Sequence, residues 1–495
     1  MTEGRYILAI DQGTTSTRAM LFDHEGHPRG ISQREIGQLY PRPAWVEHDP
    51  EEIWRSVLEV SKRAIEVSGI QSQAIAAIGI TNQRETTVVW ERRTGRPIHN
   101  AIVWQDRRTT EQCRRLAEDG LGETVQAKTG LLLDPYFSGT KIAWLLDNVP
   151  GAREMSERGQ LAFGTVDSFL LWRLTGGQVH ATDVTNASRT LLFDIHRLEW
   201  DDEMLALLRI PRAMMPTVHA NVTAFGETVP DLLGSSIPIT GMAGDQQAAT
   251  VGQACLAPGM VKATYGTGAF ILLNTGAAAV RSRNKLLTTV CYRLPKAETQ
   301  YAIEGSIFVA GAAIQWLRDK LGLIGTASES QAFAESLPDN RDVYLVPAFT
   351  GLGAPYWDPD ARAAIVGLSR DSGTAELVRA ALEAVAYQTH DLMTAMAADG
   401  AARPVALRVD GGMVRNDWML QFLSDVLDLP VARPVVGETT SLGAAYLAGM
   451  YCGFYRSTDL AKHWRQDRLF EPRMPASLRE RLIGGWRRAV AAARH

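Results

Sequence analysis

Eight residues, "DQGTTSTR" (11–18), hold one carboxylate, one glycine, four hydroxyls and one guanidinium between two apolar runs. That mixture suits anion chemistry. Gly13 permits a tight turn, and the backbone N–H groups of such a turn converge on one point. Thr14, Thr15 and Ser16 add hydroxyl donors, and Arg18 adds a planar fork that matches phosphate oxygens. Asp11 stands where the first apolar run ends, placed to hold Mg²⁺ through water, because hard cations take oxygen ligands. A similar pattern recurs near mid-chain. "MVKATYGTGAFILLNTG" (260–276) again sets a Gly-Thr turn between apolar runs. The recurrence suggests two related halves that face each other. The alternative is coincidence between two ordinary hairpins with solvated turns.

Other phosphate machinery is missing. The sequence has no GxxxxGK[ST], no GxGxxG opening a helix, no HRD and DFG set, and no HExxH. A nucleotide bound here would be held by the two hairpins and by the Gly411-Gly412 turn.

The elements that must position these turns alternate between strand and helix, which predicts an α/β fold. Tyr6–Ile10 and Arg18–Phe22 are short apolar strands around the first turn. Residues 74–82 form a third strand ending in a polar loop. Residues 374–397 carry Leu377, Ala381, Leu382, Val385, Leu392 and Met396 at helical spacing. Residues 404–410 read as a strand, followed by a helical pattern from Asn416 to Leu427. The longest uncharged stretch, 263–280, touches the length of a membrane span. Its Gly266, Gly268, Asn274 and Gly276 read instead as a buried hairpin, so no membrane span is expected.

The chain has 495 residues, too many for one ordinary core. Pro258-Gly259, in "GQACLAPGM" (252–260), is the best boundary. Two domains are expected, 1–252 and 253–495. With 45% hydrophobic and 21% charged residues and a net charge of −4, the composition is that of a globular protein and argues against nucleic acid as a partner. Cys113, Cys255, Cys291 and Cys452 are scattered, so reduced thiols in a cytoplasmic setting are expected rather than zinc or disulfides. The first apolar run is too short for a secretory leader.

Seven segments, in order, carry a resemblance: "DQGTTSTR" (11–18), "GITNQRETTVVW" (79–90), "AIVWQDRR" (101–108), "DPYFSGTK" (134–141), "GMAGDQQAA" (241–249), "TYGTGAF" (264–270) and "VDGG" (409–412). Together they resemble the FGGY carbohydrate kinases of the actin-like ATPase superfamily, in particular the branch that phosphorylates glycerol. The match runs from Arg5 to about Tyr455; the last forty residues match less well. The resemblance implies two actin-like, ribonuclease H-like domains with a nucleotide cleft between them. It implies ATP and Mg²⁺ as the phosphoryl source, glycerol as acceptor, and a homodimer or homotetramer.

The resemblance also assigns roles. Arg84, Glu85, Tyr136, Asp245 and Gln246 bind glycerol, with Trp104 and Phe270 as the apolar wall. Such residues suit a small neutral polyol, which needs paired donors and acceptors. Asp245 accepts the proton of the attacking hydroxyl. Thr14, Thr15, Ser16, Arg18, Thr267, Gly311, Gln315, Gly412 and Asn416 bind nucleotide. Gly311 and Gln315 share a helix face, and Gly412 opens a helix whose N-terminus meets the adenosine part. Taken singly, each residue also has an ordinary reading: Arg84-Glu85 as a solvated loop, Trp104 and Tyr136 as packing, Asp245 as a helix cap, Gly412 as a strand–helix turn. A kinase of the same family acting on another polyol or ketose, or a non-catalytic actin-like ATPase, would share the hairpins. Three controls known in some relatives are expected to be absent. The stretch 228–245 has no Arg, Lys or His to serve bisphosphate binding or histidine phosphorylation, and Leu478 stands where a zinc-ligating glutamate would be.

Overall fold

The computed structural model describes residues 5–494 except residue 359. Two mixed sheets organise it. The first contains β1 (Tyr6–Gln12), β2 (Ser16–Phe22), β3 (Pro28–Glu35), β4 (Ile75–Asn82), β5 (Val222–Glu227) and β6 (Pro238–Gly244), in the order β5-β6-β4-β1-β2-β3. The second contains β7 (Val261–Tyr265), β8 (Ala269–Gly276), β9 (Leu287–Tyr292), β10 (Gln300–Ile307), β11 (Leu407–Asp410), β12 (Val431–Pro434) and β13 (Gln466–Phe470), in the order β9-β10-β8-β7-β11-β12-β13.

The two sheets share a plan. In the first, β3, β2 and β1 are antiparallel neighbours and β1, β4 and β6 run parallel. In the second, β10, β8 and β7 are antiparallel and β7, β11 and β12 run parallel. The repeat suggested by the two Gly-Thr turns is therefore a repeat of whole sheets. Each turn joins the strands at the equivalent place, β1 to β2 and β7 to β8.

Five helices bear on the site: α1 (Pro50–Ser68), α2 (Asp245–Gly252), α3 (Gly311–Asp319), α4 (Thr374–Ala398) and α5 (Thr439–Tyr451). α1 covers one face of the first sheet, burying Ile53, Val57, Val60 and Ala64 at helical spacing. Asp49 caps it by accepting the Glu51 N–H, and Gly69 ends it in the left-handed region at φ 67°.

The other face of the first sheet is covered by α2 and by α5, a helix from the second half of the chain. Small residues make that approach possible. A Cβ at Gly79 would lie 2.1 Å from the Ala444 carbonyl oxygen, and one at Gly443 would lie 1.8 Å from that of Ala248. Only glycine allows backbones to meet this closely.

The expected strands and the long helix are present, and the 263–280 stretch is the β7–β8 hairpin and the loop after it. One expectation fails. Gly412 opens a 3₁₀ turn, Gly412–Arg415, and not an α-helix. Gly411 sits at φ 95°, and a Cβ there would lie 2.4 Å from the Tyr265 carbonyl oxygen. The chain must leave β11 through that tight turn before it can enter a helix. The α-helix begins at Asp417, capped by the Asn416 side chain on the Met419 N–H. All four cysteines are free, and no helix among the described residues is long and apolar enough to cross a membrane.

Candidate active site

The first turn is closed by the Gly13 N–H on the Ser16 carbonyl, 2.9 Å. It is clamped from beneath by Gln83, whose carboxamide donates to Gln12 Oε1 and to the Gly13 carbonyl at 3.0 and 3.1 Å. Thr14 Oγ1 accepts the Trp104 indole N–H, 2.8 Å, and Ser16 Oγ accepts from Gln33. Thr15 is exposed. Arg18 points its fork at Glu438 and Gln33. Thr17, the fourth hydroxyl, is buried against Ser56 and serves packing.

The second turn is closed by the Gly266 N–H on the Gly268 carbonyl, 2.9 Å. Its carbonyls receive the first amides of α3: Gly311 N–H donates to Gly266, and Ala310 and Ala312 donate to Thr267. A cavity of about 500 Å³ opens beside it. Thr267, Gly311, Gln315, Gly412 and Asn416 all line this cavity, with Ile314, Leu382 and Met413 as an apolar wall. A polar rim around an apolar slot is what a purine nucleoside requires.

At the other end of the cleft lies a buried charge network. Arg84 donates from both Nη atoms to Glu304, at 2.5 and 3.0 Å, and its Nε lies 3.2 Å from Asp245 Oδ1. Arg189 donates from Nε to Glu85, 2.6 Å, and from Nη2 to Glu304, 2.9 Å. Glu304 comes from β10 of the second sheet, so the network ties both halves together. Glu85 adopts φ 60°, a left-handed conformation rare for a residue with a side chain. Ser138 donates to its carbonyl oxygen, and Arg189 holds its carboxylate. Held strain of this kind concentrates at functional sites.

Burial raises the Glu304 carboxyl, but Arg189 and Arg84 overcome it and hold the group down at about 2. Asp245 is raised by burial, an effect that Arg84 and Lys262 partly oppose. Asp11 is pushed up to about 6 by burial and by the Asp245 charge, against Arg18. Around these charges stand aromatic rings from both halves. Trp104 meets Tyr136 and Phe270 edge-on at 5.6 and 5.9 Å, and Phe270 also faces the Arg84 guanidinium at 5.7 Å.

The structure thus brings Arg84, Glu85, Trp104, Tyr136, Asp245 and Phe270 together, and gathers Thr267, Gly311, Gln315, Gly412 and Asn416 around one cavity; Thr14, Thr15, Ser16 and Arg18 lie apart from that cavity on the first turn, Thr14 bonded to Trp104. Gln246 lies beside Asp245 and accepts from Lys262. Sequence reading missed Arg189, Lys262 and Glu304. Arg189 lies in "VTNASRTLLF" (184–193), where it is the one charged residue and was a usable signal; the other two sit inside apolar strands.

Asp11 and Asp245 lie at the cleft with only oxygen donors to offer. The Asp11 carboxylate is bonded to the Ser441 hydroxyl and opposed by the Asp245 charge. This donor set fits a hard divalent cation.

The description of the N-terminal domain of the FGGY family of carbohydrate kinases matches residues 6–252, and that of the C-terminal domain matches residues 261–452. The chain belongs to the FGGY family of carbohydrate kinases. The kinase is 60% identical to a Rhodospirillum centenum protein named glycerol kinase, over 100% of this chain and 99% of that one. It is 60% identical to one of the same name from Ectopseudomonas mendocina, over 99% of each. The crystal structure of Plasmodium falciparum glycerol kinase with ADP superposes with a TM-score of 0.91 at 37% identity, covering 99% of this chain and 98% of that chain. A xylulose kinase of Lactobacillus acidophilus shares the fold, with a TM-score of 0.84 at 21% identity and coverage of 99% and 97%. The expected fold class, two related α/β halves around a cleft, is therefore the family's own.

Proposed function

We propose that this kinase transfers the γ-phosphoryl group of ATP to a terminal hydroxyl of glycerol, giving sn-glycerol 3-phosphate and ADP. The observation that carries the proposal is the setting of Asp245: its carboxylate stands beside Arg84, whose guanidinium faces the Phe270 ring, and its charge acts on Asp11 at the end of the first strand. The full-length likeness to proteins named glycerol kinase supports glycerol over other polyols.

In this reading glycerol lies against Trp104 and Phe270. Arg84 and Tyr136 donate to its hydroxyls, and Glu85 accepts from one. Asp245 takes the proton of the terminal hydroxyl as the new O–P bond forms and the bond from Pγ to the bridging oxygen breaks, releasing ADP. Burial favours the proton on Asp245 once it arrives. Thr14, Thr15, Ser16 and Thr267 hold the phosphates, and Gly311, Gln315, Gly412 and Asn416 hold the adenosine. Arg18 reaches the phosphates on turning from Glu438. Asp11 would hold Mg²⁺ through water; bound there, the ion supplies positive charge to the phosphate oxygens. The 1–252 and 253–495 units close on the substrates and exclude water. A cytoplasmic homodimer or homotetramer completes the proposal.

The test is Asp245→Asn. It keeps the shape of the side chain and removes its basicity. Loss of acid–base catalysis lowers turnover by about 10²–10⁴-fold, while ATP affinity measured by calorimetry stays within about twofold. A variant that keeps more than about a tenth of the wild-type kcat contradicts the assignment.

A further inference from the structure

We infer that the first turn of the helix Ser138–Asn148 clamps the acceptor site, with Lys141 and Ser138 as positioning residues for Tyr136 and Glu85. This rests on the reading of Tyr136 and Glu85 as glycerol ligands. Lys141 and Ser138 are fully buried. The Lys141 ammonium donates to the Tyr136 carbonyl, 2.6 Å, and reaches the Glu85 carbonyl at 3.4 Å. Ser138 Oγ donates to the same Glu85 oxygen at 3.0 Å, and Thr87 Oγ1 donates to it at 3.1 Å. One helical turn thus ties together two loops that are distant in sequence, each carrying one candidate ligand. The turn is itself anchored by the Gly139 N–H on the Thr190 carbonyl, 2.7 Å.

Packing alone does not account for this lysine. A buried ammonium is costly unless a carboxylate pairs with it. Among the described residues no carboxylate forms an ion pair with Lys141; Glu85, Asp106 and Asp134 act on it only through longer-range charge. The positive end of its own helix adds to the cost, and burial pushes the group down to about 8. A methionine would fill a similar volume without either penalty. What the ammonium supplies is direction. The Tyr136 hydroxyl has no hydrogen bond among the described residues, so its ring is held from the sides and from its backbone. Trp104 and Phe137 flank the ring at 5.6 and 4.9 Å. The backbone N–H donates to Asp134 Oδ1, 2.8 Å, and the carbonyl takes the Lys141 proton. Glu85 sits at φ 60°, and the donors on its carbonyl hold the strained turn from which its side chain projects.

The test is initial-rate kinetics of Lys141→Met and Ser138→Ala, each alone and combined with Tyr136→Phe, with melting midpoints beside them. Lys141→Met is expected to raise KM for glycerol by about ten- to a hundredfold, the range of a lost hydrogen bond from a charged group. KM for ATP is expected to stay within about twofold, because the clamp touches only the acceptor side. Ser138→Ala removes a neutral donor and is expected to raise KM for glycerol by about two- to fivefold; it carries the test if Lys141→Met does not fold. In the Tyr136→Phe background the hydroxyl that Lys141 positions is gone, so the factor for Lys141→Met should shrink at least about threefold. Ser138 acts on Glu85 and should keep its factor there. A lysine that serves stability alone would lower the midpoint and leave KM for glycerol unchanged, or would act by the same factor in both backgrounds, and either result overturns the inference. So does an unchanged KM for glycerol in Ser138→Ala. An unchanged KM for glycerol in Tyr136→Phe alone would instead refute the reading of Tyr136 as a glycerol ligand, and the clamp with it.

Discussion

Glu304→Gln isolates the charge that ties the two halves to Arg84. Glu304 accepts three hydrogen bonds from two buried guanidinium groups and is fully buried. A carboxyl held at about 2 against its usual 4.5 favours its charged state in the fold by about 3 kcal/mol. Breaking a buried ion pair costs about 3–5 kcal/mol, the same range. Unfolding entropy of ~2.1 cal/mol/K per residue over 495 residues gives ~1 kcal/mol/K, so the melting midpoint should fall by about 3 °C if the chain unfolds as one unit. The sign with pH is fixed. A depressed carboxyl stabilises fully above pH 4.5 and loses that stabilisation as the pH falls toward 2. The gap between wild type and variant is therefore constant from pH 8 to 5 and narrows below. In the variant the carboxamide can accept from only one of the two Arg84 Nη groups, which loosens the guanidinium, so KM for glycerol should rise while KM for ATP does not. Scanning calorimetry and initial-rate kinetics read both effects. An unchanged midpoint together with an unchanged KM for glycerol would refute the account of the network.

Two further outcomes follow from other parts of the fold. His180 donates from Nε2 to the Phe163 carbonyl, 2.7 Å, and its Nδ1 meets an Arg92 N–H at 3.1 Å. Burial holds it down at about 4, so its neutral form stabilises fully above pH 6.5 and the protein loses about 3 kcal/mol as the pH falls to 4. His180→Gln cannot take that proton, and its deficit against wild type should shrink over this range; parallel stability curves would contradict it. Gly443→Ala puts a methyl 1.8 Å from the Ala248 carbonyl oxygen, a backbone contact that cannot give. It should cost about 1–3 kcal/mol or more by overpacking, seen as a lower denaturant midpoint, and an unchanged midpoint would show that α5 can shift freely.

Much of the fold was legible because local patterns agreed with the tertiary structure. The β1–β2 hairpin announces itself by apolar runs around Gly13, and α4 by its spacing. The seat of α5 was not legible. "TTSLGAAYLAGMY" is apolar on all sides, so periodicity gives it no face, and nothing local places it against the first sheet. The turn at Gly412 was misread because its geometry is set by Tyr265, far away in sequence. In the site, Arg84, Glu85 and Asp245 stood out through their motifs. Their partners did not, because Glu304 lies 220 residues from Arg84 and sits in a strand whose neighbours are apolar. Charges buried by long-range pairing look, in sequence, like isolated interruptions of a strand.

The most direct test of the central claim is the initial rate of ADP release with ATP·Mg²⁺ and, in turn, glycerol, erythritol, xylulose or no acceptor. The account predicts rapid release with glycerol, with stoichiometric glycerol 3-phosphate, and only slow release otherwise, because the proposal gives Arg84, Glu85 and Tyr136 the glycerol hydroxyls to hold and leaves water unactivated when no acceptor is bound. Equal or faster release with xylulose, or ADP release independent of any acceptor, would contradict it.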